Sequence, residues 1–108
     1  MLDVLLLFPR ELDTAEVDEL LAKRLIPEFT RAAGIRSLRQ SDGTVMSRGA
    51  PSPYSRVLEA SFDTLPDWMA TVDALNAMGG SPADREAFQR LAPLVVFFEV
   101  AQPAGSVT

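Results

Sequence analysis

The stretch from residue 94 to residue 100 constrains the fold more than any other part of the chain. It reads Leu-Val-Val-Phe-Phe-Glu-Val and is rich in the β-branched and aromatic residues that favour a strand. Successive side chains of a strand point to opposite faces. Here both faces are apolar, with Val95 and Phe97 on one and Leu94, Val96, Phe98 and Val100 on the other. A half-exposed strand would alternate apolar with polar residues, so both faces require cover.

The beginning of the chain contains a second apolar stretch that also requires cover on both faces. Residues 4–8 read Val-Leu-Leu-Leu-Phe, and a strand is predicted over residues 2–8. It ends at Pro9, because proline has no N–H to donate to a sheet. A fold that contains both strands needs helices on one face of its sheet and another apolar surface on the opposite face.

The composition limits the chemistry of this chain, whose 108 residues are the length of one domain. It contains neither cysteine nor histidine, which excludes disulfides, thiolate chemistry and imidazole ligands. The acidic residues show no calcium-loop spacing, so we expect no metal and no cofactor. The net charge of −5 argues against a nucleic-acid partner, because phosphate backbones bind concentrated basic surfaces.

The sequence also suggests where in the cell the protein is located. The apolar run at the N-terminus ends after about five residues and has no basic flank, which predicts neither a signal peptide nor a membrane partner. A chain without cysteine fits a reducing compartment, and we expect a cytoplasmic protein. Nine arginines stand against one lysine, which we interpret as the mark of a GC-rich bacterial genome.

Two helical regions and two further strands are predicted between the apolar strands. The first helix begins after Asp13, with Glu16 completing a capping box; Pro27 should kink or restart it, and Gly34 should end it. The later elements are a strand over 35–40, a Ser-, Gly- and Pro-rich loop over 41–53, a strand over 54–62, a helix capped by Thr64 and ended by Gly79-Gly80, and a short helix capped by Ser81. We expect one domain over residues 1–102 and a flexible tail over 103–108.

This order, βαββαβ, is that of the ferredoxin-like α+β fold. Right-handed crossovers place the helices on one face of a four-stranded antiparallel sheet and leave the other face bare. A bare apolar face of that size is unusual on a monomer. We therefore predict a homodimer, packed face to face about a two-fold axis through the open sheet face. Replacing Leu5 or Phe97 with aspartate is expected to split or unfold it.

The chain resembles the dimeric α+β barrel superfamily, and most of all its EthD-like members. The resemblance covers about residues 2–101. It depends on Leu25-Ile26-Pro27 late in the first helix, Ala33-Gly34-Ile35-Arg36 entering the second strand, Gly79-Gly80-Ser81-Pro82 followed by Asp84 and Phe88, and the apolar last strand. Many EthD-like chains carry a histidine where this sequence has Leu25.

The resemblance implies a pocket between sheet and helices. Superfamily members include cofactor-free oxygenases of aromatic polyketides, haem-degrading enzymes and isomerases, and the missing histidine disfavours the haem-type activities. Tyr54, Trp68 and Asn76 resemble the side chains that the oxygenases place around a phenolic substrate. Trp68 is also a candidate core residue, and Asn76 a candidate solvent-facing residue.

Further site candidates come from the middle strands. An arginine facing a pocket can clamp a carboxylate, and a buried glutamate can act as a base. We name as catalytic candidates Glu59 and Tyr54, and as substrate-binding candidates Arg39, Arg56, Trp68 and Asn76. The alternative for Arg39 and Glu59 is an ion pair that protects a sheet edge.

The predicted function is cofactor-independent chemistry, of oxygenase or isomerase type, on a small apolar or aromatic compound. Two alternatives stay open: a small-molecule binding or regulatory module without turnover, and a structural dimer with a filled core. A cavity enclosed within each subunit favours the enzyme, whereas a ligand held between subunits favours the regulatory module.

Overall fold

The computed structural model describes residues 1–43, 45–77 and 82–101. Three predicted features lie outside these residues: the helix stop at Gly79-Gly80, the cap at Ser81, and the domain boundary at residue 102 with the tail that follows it. The elements are β1 (Leu2–Pro9), α1 (Thr14–Leu20), a π-helical turn (Leu21–Leu25), α2 (Ile26–Thr30), β2 (Ile35–Gln40), β3 (Tyr54–Phe62), α3 (Leu65–Ala77), α4 (Pro82–Arg90) and β4 (Leu94–Glu99).

The strands form one antiparallel sheet in the order β2-β3-β1-β4, with the two most apolar strands, β1 and β4, side by side. Val4 pairs with Phe97 and Leu5 with Val96, so each pair marks one face of the sheet. The helices pack on the face that carries Val4. The predicted ferredoxin-like fold, a four-stranded antiparallel sheet with helices on one face, is confirmed.

Local signals position the first helical region. The Asp13 carboxylate accepts hydrogen bonds from the N–H groups of Ala15 (2.9 Å) and Glu16 (3.2 Å), as a helix N-cap does. The predicted break at Pro27 is present as the π-helical turn that precedes it, in which the N–H of Ile26 reaches back to the carbonyl of Leu21. Proline supplies no N–H of its own, so the backbone rearranges around it.

The core lies between the helices and one face of the sheet. Every second side chain of β1 is buried there, namely Leu2, Val4, Leu6 and Phe8. Phe29, Phe62 and Trp68 form an aromatic cluster in this layer, with ring centroids 5.7–6.1 Å apart. This spacing is that of favourable aromatic pairs, and it anchors α2 and α3 to β3.

None of the described helices packs on the opposite face of the sheet. We call its apolar side chains the open-face patch: Leu5, Leu7, Leu94, Val96 and Phe98. The three from β4 are 40–49% exposed. One expectation is corrected here. Phe97 does not belong to the patch, because it pairs with buried Val4 and its ring lies 6.4 Å from that of Trp68 on the helix side.

The turn into β2 depends on a glycine. Gly34 has φ +76°, and a Cβ there would overlap the carboxylate of Asp67 and lie 2.9 Å from its Cβ. Asp67 is needed in place, since its N–H donates to the Thr64 hydroxyl, 3.3 Å away, at the start of α3. The turn and this helix terminus therefore share one tight contact.

We expect Gly34→Ala to lower the free energy of unfolding by about 2–3 kcal/mol, the left-handed backbone penalty plus the disturbed cap. The matched control is Gly49→Ala, because Gly49 has φ +83° and no atom within 4 Å of a new Cβ. Its free energy of unfolding should fall only by the left-handed backbone penalty, about 1 kcal/mol. Urea unfolding of both variants measures the difference. Equal losses would show that the contact with Asp67 is unimportant.

Candidate functional site

A cavity of about 680 Å³ lies between the helices and the sheet, within the size range of small-molecule sites. Its walls come from β1, the first helical region, α3, α4 and β4. All but three of the described side chains that line it are apolar. It opens on the helix side of the sheet, within a single subunit and away from the open-face patch.

Buried aliphatic side chains form the floor of the cavity: Leu6, Leu20 and Leu25, each at most 7% exposed. Leu25 ends the π-helical turn and stands where many EthD-like chains carry histidine. An aliphatic side chain at this point makes the floor apolar and leaves it without a proton donor or acceptor.

Trp68 lies in both the core and the cavity wall. It is 4% exposed, packs against the rings of Phe29, Phe62 and Phe97, and also lines the cavity. Phe97 and Val95 continue the wall along β4, where they are 48% and 41% exposed. The wall is therefore aromatic and accessible, which suits a flat apolar ligand.

Three polar side chains line the cavity at exposed positions, and we call them the polar rim: Asn76 on α3, and Arg85 and Gln89 on α4. Asn76 was among the sequence candidates. Arg85 and Gln89 were missed. Residues 85, 88 and 89 share one face at spacings of three and four, and that spacing was the signal available.

Tyr54 lies elsewhere. It lines a separate depression of about 480 Å³ beside Arg10, Thr14 and the 41–53 loop, which shares no lining residue with the main cavity. Ser55, its neighbour in this depression, has a buried hydroxyl without a hydrogen-bond partner. The structure does not bring Tyr54 together with Trp68 and Asn76.

Arg39 and Glu59 form an ion pair across β2 and β3. Glu59 pairs in register with Leu5 of the open-face patch, so both charged groups lie on the sheet face opposite the cavity. Their arrangement is the edge ion pair that the sequence left open as an alternative. A part in catalysis or substrate binding stays a prediction for both.

Arg56 is also occupied. Its Nε donates to one carboxylate oxygen of Asp18 (2.8 Å) and its Nη2 to the other (3.2 Å), which fastens α1 to β3. These hydrogen bonds from Arg56 lower the pKa of Asp18 and raise the pKa of Arg56. The guanidinium is therefore committed to a structural contact and lies outside the cavity lining.

The Arg56 contact predicts a pH-dependent stability term. A carboxyl whose pKa is lowered in the folded state stabilises the fold above its unfolded pKa, and the effect disappears as the pH falls through the folded pKa. Asp18 is about half exposed, so Asp18→Asn should cost less than about 1 kcal/mol at pH 7. Urea unfolding at pH 7 and pH 3 should show that cost shrinking at low pH. A cost that is constant with pH would contradict the ion pair.

No helix within the described ranges is long and apolar enough to span a membrane. In the same part of the chain, no three acidic side chains are grouped as metal ligands.

The described strands and helices define a ferredoxin-like α+β fold. Solved structures with this fold include an EthD-family protein from Bacillus halodurans, 15% identical over 94% of this chain and 99% of that one, TM-score 0.65. SnoaB from Streptomyces nogalater, a cofactor-independent oxygenase, is 15% identical over 97% of each chain, TM-score 0.61.

A dimeric ferredoxin-like protein from Thermobifida fusca is 12% identical over 92% of this chain and 89% of that one, TM-score 0.60. At these identities the similarity concerns the fold, and at that level the resemblance to EthD-like proteins is confirmed. No protein-family model matches the sequence. No curated protein matches it either.

Proposed function

We propose that this protein is a cofactor-independent enzyme, of oxygenase or isomerase type, acting on a small apolar or aromatic compound held in the cavity. The observation that carries the proposal is the cavity itself, which has an apolar floor, an aromatic wall and a polar rim within one subunit. A cavity enclosed within each subunit was the feature expected to favour the enzyme over a regulatory module; this cavity is lined by one subunit alone and is partly open to solvent. SnoaB, a cofactor-independent oxygenase of the same fold, supports this choice.

The chemistry begins with loss of a proton from an activated C–H or O–H group of the substrate. The resulting anion places negative charge on an oxygen, and the Asn76 amide donates a hydrogen bond to it. None of the described lining side chains is a carboxylate or an imidazole, so the proton passes to water at the open mouth. The aromatic wall with Trp68 holds the ring system in a water-poor environment, which strengthens that hydrogen bond.

For the oxygenase type, the electron-rich anion reacts directly with O₂. A methylene group between two aromatic rings is converted to a carbonyl: the carbon keeps one oxygen atom, and the other leaves as water with the two hydrogens. The substrate supplies all of the electrons. For the isomerase type, the same anion is reprotonated at a different carbon.

Trp68 and Asn76 are the site residues of this proposal. Of the other candidates, Tyr54 belongs to the separate depression, and Arg56 holds Asp18. Glu59 would act as a base only on a compound bound at the opposite sheet face, where Arg39 neutralises it. We therefore give these residues no step in the cavity.

A homodimer is part of the proposal. The open-face patch is apolar, is not covered by any described part of the chain, and includes three β4 side chains at least 40% exposed. A second copy, related by a two-fold axis, covers it with an identical patch. The dimeric protein of the same fold from Thermobifida fusca supports this arrangement.

The test is turnover of anthrone, a neutral tricyclic compound with a methylene group between two aromatic rings. We expect oxygen uptake and formation of anthraquinone, with label from ¹⁸O₂ in the new carbonyl. The control is Val95→Trp, which fills the cavity from β4 and should abolish turnover. Anthrone binding without turnover by the wild type would favour the regulatory module. The absence of both would favour the structural dimer.

A further inference from the structure

We infer that the natural ligand of the cavity is an aromatic or otherwise apolar carboxylate, and that Arg85 binds its carboxylate group. The inference narrows the substrate class of the proposed function and therefore rests on it. It begins from the charge of the lining. Arg85 is the one charged side chain among the described residues that line the cavity. A guanidinium group donates hydrogen bonds and accepts none.

Arg85 differs from most cationic side chains in having no ion-pair partner among the described residues. Six others form ion pairs with carboxylates: Lys23, Arg31, Arg36, Arg39, Arg56 and Arg90. No described carboxylate lies within ion-pairing distance of Arg85, in a chain whose net charge is −5. Since no described carboxylate holds the Arg85 guanidinium at the cavity, we infer that it is available to an anion from outside.

The polar rim is arranged to orient such an anion. Arg85 and Gln89 are four residues apart on α4, so they share one helix face, and Asn76 faces the same cavity from α3. All three have N–H groups to donate. The floor beneath them is aliphatic and buried. The aliphatic floor suits the apolar body of a ligand, and the N–H donors of the polar rim suit an anionic group at one end of it.

The identity of the anion follows from two properties. A guanidinium fork matches the two oxygens of a carboxylate in bidentate geometry. A carboxylic acid, with pKa about 4, is also ionised at neutral pH without help, whereas a simple phenol, with pKa about 10, is not. A carboxylate thus arrives charged at a site whose described lining offers no base.

The test is isothermal titration calorimetry of the full-length protein with 2-naphthoate and with its neutral counterpart 2-naphthamide. These probes share one flat ring system and differ in charge. Three variants accompany the wild type. Arg85→Gln removes the charge, and Arg85→Lys keeps it. Arg48→Gln removes another exposed arginine, which lies on the 41–53 loop outside the cavity lining and forms no ion pair with a described residue.

We expect the wild type to bind 2-naphthoate about tenfold more tightly than 2-naphthamide, the effect of one charge-assisted contact. Arg85→Gln should remove this preference by weakening 2-naphthoate alone. Arg85→Lys should retain part of the preference, and Arg48→Gln should match the wild type. The preference should also fall as salt is raised.

Equal affinity of the wild type for the two probes would overturn the inference while leaving the apolar cavity, and with it the proposed function, in place. A preference for 2-naphthoate that survives in Arg85→Gln would overturn the role of Arg85. Failure of both probes to bind any variant would count against the cavity as a ligand site, and so against the proposed function as well.

Discussion

Val96→Asp is expected to convert the proposed dimer into monomers. Val96 is 40% exposed on the subunit and lies in the open-face patch, beside Leu5 in the register of β1 and β4. Two-fold symmetry places the new carboxylate in the interface twice. Each uncompensated charge in an apolar interface costs about 3–5 kcal/mol. The dissociation constant should therefore rise by more than about a thousandfold.

The adjacent residue supplies a matched control. Val95 is the same residue type on the same strand, 41% exposed, but it faces the cavity. Val95→Asp should keep the dimer mass and weaken apolar ligands in the cavity. Light scattering coupled to size-exclusion chromatography, over a range of protein concentrations, shows whether each variant is a monomer or a dimer. If Val96→Asp stays dimeric, another surface forms the interface. If Val95→Asp also dissociates, the two faces of β4 are not independent.

The fold could be predicted well because its signals are local. The capping carboxylate of Asp13, the glycine at position 34 and the proline at position 27 each act on backbone within a few residues. The strands predicted over 35–40 and 54–62 have the same bounds in the structure. Alternation along β4 also separated Val95 and Phe97 correctly from Val96 and Phe98.

That alternation could not show which face of β4 the helices cover. Both faces are apolar, and the choice is made by the register with β1, where Val4 is buried and pairs with Phe97. The prediction that Phe97 lies in the dimer interface was wrong for this reason. Phe98, the next residue, lies on the open face of the sheet, where Phe97 had been predicted to lie.

The site was harder to predict, because it depends on which elements meet. Arg39 on β2 and Arg56 on β3 were predicted to bind a substrate. In the structure they form ion pairs with Glu59 and Asp18, respectively. Among the described residues, the arginine that lines the cavity and has no carboxylate partner is Arg85, on α4. Pairing of charges across distant segments decides which cations remain available, and spacing along the chain does not reveal it.

Asn76→Ala should lower kcat for anthrone oxidation by about a hundredfold or more, with little change in KM. The amide would stabilise the oxyanion that forms after proton loss, and removal of one such donor typically costs about 10²–10³ in kcat. The neutral substrate does not yet carry that charge, so its binding is little affected. Steady-state oxygen uptake at several anthrone concentrations separates kcat from KM.

The control is Asp73→Ala, an exposed position one turn earlier on α3 and outside the cavity lining. It should retain wild-type kcat and KM, which excludes a general effect on the helix. Asn76→Asp adds a sharper comparison, because a carboxylate has a similar shape but would repel the oxyanion, and it should be at least as slow as Asn76→Ala. If Asn76→Ala keeps kcat and raises KM instead, the amide binds the substrate without stabilising the reacting anion, and the oxyanion would have to be stabilised from elsewhere on the polar rim.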